Sequence, residues 1–158
     1  MADEMKMKLA LQVYQTLCEA IDNRNWKYGK EEEKLLVHFG VNGDDIPMQF
    51  ILFVDADRQL IRLLSPLPFK MSEAKRMEGA IATCVASYRM ADGSFDYDLS
   101  DGSIVFRMTA SYRESIIGEG LLQYMISCSC AMVDRYNDMF LAIDKDLLSI
   151  SDFIEKET

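Results

Sequence analysis

The stretch Phe95–Arg107, FDYDLSDGSIVFR, places three aspartates and a glycine within seven residues. It reads either as a metal-binding loop or as the turn of a β-hairpin, and the two readings lead to different molecules. A calcium loop of the EF-hand kind needs acidic ligands at positions 1, 3 and 5, glycine at 6 and glutamate at 12. Counted from Asp96, position 5 is Ser100, Gly102 falls one place late, and position 12 is the cation Arg107. No helix is expected to lead into it. The hairpin uses every residue. Phe95, Tyr97 and Leu99 point one way, Asp96 and Asp98 face solvent, Asp101-Gly102 supplies left-handed turn chemistry, and Ile104, Phe106 and Met108 return along the apolar face. The hairpin reading is adopted, with the aspartates as a solvated face.

Working outward, the chain before this hairpin carries helix, strands and helix. Met5, Leu9, Val13, Leu17 and Ile21, together with Met7, Leu11, Tyr14 and Cys18, predict a helix over 3–24. Projected at about 100° per residue, the two stripes span an apolar arc of roughly 180°. A helix lying on a sheet needs little more than about 100°. The excess is open to a second layer of the same fold or to another chain. Period-two alternation then predicts strands over 35–41, 48–54 and 60–64, with a short strand near 26–29. Asn42-Gly43 and DADRQ (55–59) supply the turns, and SPLPF (65–69) is expected to end the sheet run because of its prolines. Ser72 is the expected start of a helix burying Ala74, Met77, Ile81, Cys84, Val85 and Tyr88. After the hairpin, a long helix starts near Gly118–Gly120. Its core stripe is Leu122, Met125, Ile126, Ser129, Met132, Val133, Tyr136, Phe140 and Ile143. Residues 145–158 form a short helix or a frayed tail. The predicted fold is a single α+β domain over 1–158: an antiparallel sheet of about five strands with helices packed on it, order α-β-β-β-α-β-β-α.

Bulk properties narrow the function classes. At 158 residues, with 49% hydrophobic and 27% charged residues, the chain can bury a core without a disulfide or metal staple. A net charge of -9 opposes phosphate backbones and anionic headgroups, so neither nucleic acid nor membrane is expected as a partner. Lys6 and Lys8 interrupt the start of the chain and no apolar h-region follows, so no signal peptide is expected. The expectation is a cytoplasmic protein with four reduced thiols.

The remaining candidate sites have plainer readings. Cys128 and Cys130 lie two apart on a helix, about 200° around its axis, and cannot chelate one ion. Small buried thiols are expected. His38, the only histidine, sits on the more polar face of its strand with no marked nucleophile beside it. Glu31–Glu33 reads as a solvated turn, and Gly118-Glu-Gly120 lacks the third glycine and parallel setting of a phosphate loop. No catalytic residue, cofactor or metal ligand is assigned. Surface chemistry is more informative. Leu36, Ile51, Phe53, Ile61 and Leu63 alternate onto the face opposite the expected core, and 11 methionines suit adaptable contacts. With Met7, Leu11 and Tyr14 of the first helix, they form the candidate partner-binding surface. A sheet covered on both faces by its own helices is the plainer alternative.

The segment LPFKMSEAKRMEGAIATCVASYRMADGSFDYDLSDGSIVFR (67–107), followed by MVDRYNDMFLAI (132–143), resembles the YbjN family. The matching positions are Gly93, Phe95, Asp98, Asp101, Gly102 and Arg107, then Asp134, Arg135 and Tyr136. The N-terminal half matches in order of elements more than in letters. That family is similar in fold to the small acidic chaperones of type III secretion, often dimeric, and carries the label of sensory transduction regulator. The resemblance implies a non-enzymatic protein-binding, chaperone-like or regulatory role, another protein as partner, and a homodimer. It transfers no catalytic residues. The alternative is a small-ligand-binding or enzymatic domain, with a pocket between the sheet and the long C-terminal helix near His38 or Arg107.

Overall fold

The computed structural model describes residues 3–158. Helix α1 (Glu4–Asp22) opens on Asp3, whose carboxylate accepts the Lys6 amide at 2.8 Å and satisfies one of the free N–H groups of the first turn. Strand β1 (Gly29–Glu31) and a 3-10 turn (Glu32–Lys34) lead to β2 (Leu36–Asn42), β3 (Pro47–Asp55) and β4 (Leu60–Lys70). A second 3-10 turn (Glu73–Lys75) and α2 (Arg76–Tyr88) cross to the hairpin β5 (Ser94–Tyr97) and β6 (Ser103–Ser111). The chain ends with α3 (Glu119–Asp144) and α4 (Ile150–Glu157). The strands form one antiparallel sheet in the order β1-β2-β3-β4-β6-β5. The fold is α+β as expected, with six strands rather than about five. The extra strand lies at 29–31, slightly beyond the 26–29 read from the sequence.

The core lies on one face of the sheet. Val37, Phe39, Phe50, Leu52, Val54, Ile61, Leu63, Ile104, Phe106 and Met108 are buried and pack with the buried stripes of the helices. Helix α3 crosses β3, β4 and β6 on this side, with α1 beside it. Its stripe is buried as expected, apart from Met132, which is half-buried. A ring cluster closes the far end. Phe95 meets Phe106, Tyr136 and Phe140 edge-on at centroid distances of 5.2, 5.7 and 5.0 Å. Helix α4 is ordered rather than frayed, because fully buried Phe153 joins this cluster. Burying one phenyl ring stabilises by about 1.5–3 kcal/mol, enough to hold a two-turn helix that would not persist alone.

Three expectations are corrected. Strand β4 runs through Pro66 and Pro68 to Lys70 instead of stopping at 65–69. Pairing with β3 ends at Leu64, so the prolines remove no donor needed on that side, and a register irregularity between Pro66 and Lys70 absorbs them. Ile61 and Leu63 are fully buried on the core face, not opposite it, because Val54 pairs with Ile61 and Leu52 with Leu63. Helix α2 is turned away from its expected phase. It buries Gly79, Ala82, Thr83 and Ala86, while Ala74, Met77, Ile81, Cys84 and Tyr88 are exposed. Close packing sets this phase: a Cβ at Gly79 would lie 2.7 Å from both Met71 and the Tyr97 hydroxyl. Only small side chains fit there.

Candidate protein-binding surfaces

The opposite face of the sheet carries no buried core residue, and none of its side chains belongs to the packed cluster. The register fixes what it presents. Leu36 lies across from Phe53 and Phe53 across from Arg62; Ile51 faces Leu64, which faces Arg107. Leu36, Ile51, Phe53, Leu64 and Val105 are half-buried by their neighbours and retain contact with water. The Arg62 guanidinium stands 5.4 Å over the Phe53 ring, and Arg107 Nε donates to Asp96 at 2.6 Å, so polar groups frame the apolar centre. His38 is exposed on this face, its imidazole covering the space above Gly29. Leu36, Ile51 and Phe53 therefore lie together as read from the sequence, and Leu64 takes the place given to Ile61 and Leu63.

The apolar arc of α1 divides along its length. Ala10, Val13, Leu17, Ala20 and Ile21 are buried, whereas Met5, Met7, Leu9 and Leu11 are exposed in the first two turns. Met7 and Leu11 are thus surface groups, at 42% and 51% exposure. Tyr14 is buried instead, a correction to the expected surface set. Its hydroxyl donates to the Leu36 carbonyl at 3.4 Å and ties α1 to β2, and burial pushes the phenol up to about 12.

A third apolar surface lies on α2. Met77, Ile81, Cys84 and Tyr88 recur at i, i+4, i+7 and i+11 along the outer side of α2, with Met77 69% and Tyr88 89% exposed. The sequence pattern places these residues in the core. The usable signal was the second, smaller-residue stripe Gly79, Ala82, Thr83 and Ala86, which marks a helix held close to its neighbours. The opposite, small-residue side of α2 packs on β5, one of the two edge strands of the sheet.

The aspartate loop is a turn. The Ser100 amide and hydroxyl both donate to Asp98, and those of Ser103 both donate to Asp101, which also pairs with Lys70 at 2.9 Å. These bonds hold the Asp101 carboxyl well below the ordinary aspartate range, the Ser103 hydroxyl contributing most and Lys70 next. Asp98 and Asp101 therefore order the turn rather than simply face solvent. Among the described residues no group of three or more His, Cys, Asp or Glu is placed to hold a metal ion. Of the thiols, Cys18 is buried, Cys84 exposed, and Cys128 and Cys130 half-buried; burial pushes Cys130 up to about 11. No described helix is long and apolar enough to cross a membrane. His38 and Arg107 both stand on the open sheet face, while a cleft of about 450 Å³ lies elsewhere, between α3, α4 and residues 89–92.

No protein-family model matches the chain, and no curated protein matches it in sequence. Its fold does match solved structures. The crystal structure of YbjN from E. coli superposes with a TM-score of 0.58 at 8% identity, covering 84% of this chain and 92% of YbjN. The ExsC–ExsE complex gives 0.52 at 13% identity, covering 84% of this chain and 92% of the matched one. The HopA1–SchA chaperone–effector complex gives 0.52 at 11% identity, with 81% and 94% covered. The chain has the YbjN-like, type III secretion chaperone-like fold that the 67–143 segment resembles.

Proposed function

We propose that this protein is a non-catalytic, cytoplasmic binding module that engages another polypeptide and works as a homodimer. One observation carries the reading: Met77, Ile81, Cys84 and Tyr88 form a straight apolar stripe directed at water although the core has no use for them. Large apolar side chains gathered on one face mark contact sites between proteins. A single helix with this spacing is self-complementary across a twofold axis, which suits α2 for joining two copies. The open sheet face, with Leu36, Ile51, Phe53 and Leu64, and the exposed first turns of α1 then remain for the partner. Two of the similar folds were solved as complexes with another protein, one of them a chaperone–effector pair, which supports the same use of the architecture here. The net charge of -9 favours a partner segment carrying basic residues around its apolar anchors.

The test is capture of partners from the native cytosol by the wild-type chain and by the Ile51→Ser/Phe53→Ser double variant, identified by mass spectrometry. A partner held by the wild type and lost from the folded variant supports the reading. The same proteins held equally by both would refute the sheet-face assignment.

A further inference from the structure

The cleft between residues 89–92, α3 and α4 has a volume of about 450 Å³, within the range of roughly 300–1,000 Å³ typical of small-molecule sites. In a protein of net charge -9, three cations, Arg89, Arg135 and Lys156, gather on this wall beside the side-chain carboxylates of Asp92 and Glu157 and beside Thr158, the last residue of the sequence. Both carboxylates are already engaged. Tyr124 donates to Asp92 at 2.6 Å, and Tyr136 donates to Glu157 Oε2 at 2.7 Å, where Arg135 Nη2 also donates at 3.3 Å. The cations retain capacity. Arg89 spends Nη2 on a main-chain carboxyl oxygen of Thr158 at 2.9 Å, and Lys156 makes no hydrogen bond or ion pair among the described residues. Arg135 is held in place over the Tyr136 ring at 5.3 Å. Between these charges the wall is soft and apolar, formed by Met90, Cys128, Met132 and the exposed ring of Tyr124.

We propose that this cleft binds a small organic carboxylate, its anionic end held by Arg89, Arg135 and Lys156 and its apolar body against Met90, Cys128 and Met132. Guanidinium forks match a carboxylate in two parallel hydrogen bonds, and thioethers adapt to an apolar body of undetermined shape. The assignment does not depend on the protein-binding reading, since none of its residues lies on the open sheet face, the exposed turns of α1 or the α2 stripe. The experiment is an NMR titration of the full chain with 3-phenylpropionate, its neutral analogue 3-phenylpropionamide, and inorganic phosphate. The expected result is saturable shifts at Met90, Cys128 and Met132 with the carboxylate only. Binding should weaken about tenfold, the loss of one charge-assisted contact, in Arg89→Gln and separately in Lys156→Gln, both retaining the wild-type melting temperature. Equal binding of the amide, displacement by phosphate at equal strength, shifts confined to other surfaces, or no saturation would each overturn the proposal.

Discussion

At the scale of single residues, the turn Asp98–Gly102 shows how much structure a few polar atoms can specify. Gly102 has φ +78°, and an added Cβ would run into the Met71 carbonyl, whose own amide donates to Gly102 O at 2.9 Å. Gly102→Ala meets both backbone strain and that clash, so a loss of about 1–3 kcal/mol is expected; urea unfolding measures it, and an unchanged midpoint would contradict the geometry. Asp101 carries the acid dependence of the same turn. Its folded-state carboxyl is depressed, so its stabilising effect is complete above the unfolded value of about 3.9 and fades as pH falls below it. A carbon-detected NMR titration should place Asp101 below ordinary aspartates, and Ser103→Ala should raise it. Glu157 acts through the buried Tyr136 hydroxyl, which its carboxylate accepts and which burial and that carboxylate together push up to about 12.

At the scale of elements, the informative case is α2. Its larger apolar residues suggest one buried face, but the structure buries the smaller one, because a helix wedged against β5, α3 and α4 cannot admit Met or Ile at Gly79, Ala82 or Ala86. Side-chain volume overrode hydrophobicity. Strand β4 shows a related ambiguity: Leu60, Ile61, Leu63 and Leu64 are apolar on both faces, so alternation sets no phase, and only the register with β3 does. Helix α4 depends on one anchor. Phe153→Ala should cost about 3–5 kcal/mol by leaving a cavity beside Phe140 and Tyr136. Partial loss of α4 should then appear as fast amide exchange over 150–157, with α1 unaffected.

At the scale of the whole molecule, a sheet covered on one face and an outward apolar helix stripe leave apolar surface that the chain's own elements do not cover. If α2 joins two copies, Ile81→Ser/Tyr88→Ser should convert a dimer to a monomer in sedimentation equilibrium. Its unfolding midpoint measured on the monomer should stay within about 0.5 kcal/mol of wild type, as for surface substitutions. Because the contact is apolar, raising salt should not dissociate it. A wild-type monomer at all concentrations would remove the dimer from the reading.

The hairpin at 95–107, the long helix α3 and the α+β class were legible in the chain, because each rests on local chemistry: glycine and aspartate in a turn, alternation of period two, and a stripe of period 3.6 over 26 residues. The same local signals placed Met7, Leu11, Leu36, Ile51 and Phe53 on the surface that the fold leaves open. They misplaced Tyr14, Ile61 and Leu63, and the outer stripe of α2. Those positions depend on which neighbour comes close and in what register, and burial is a property of the assembled layers that no single segment carries.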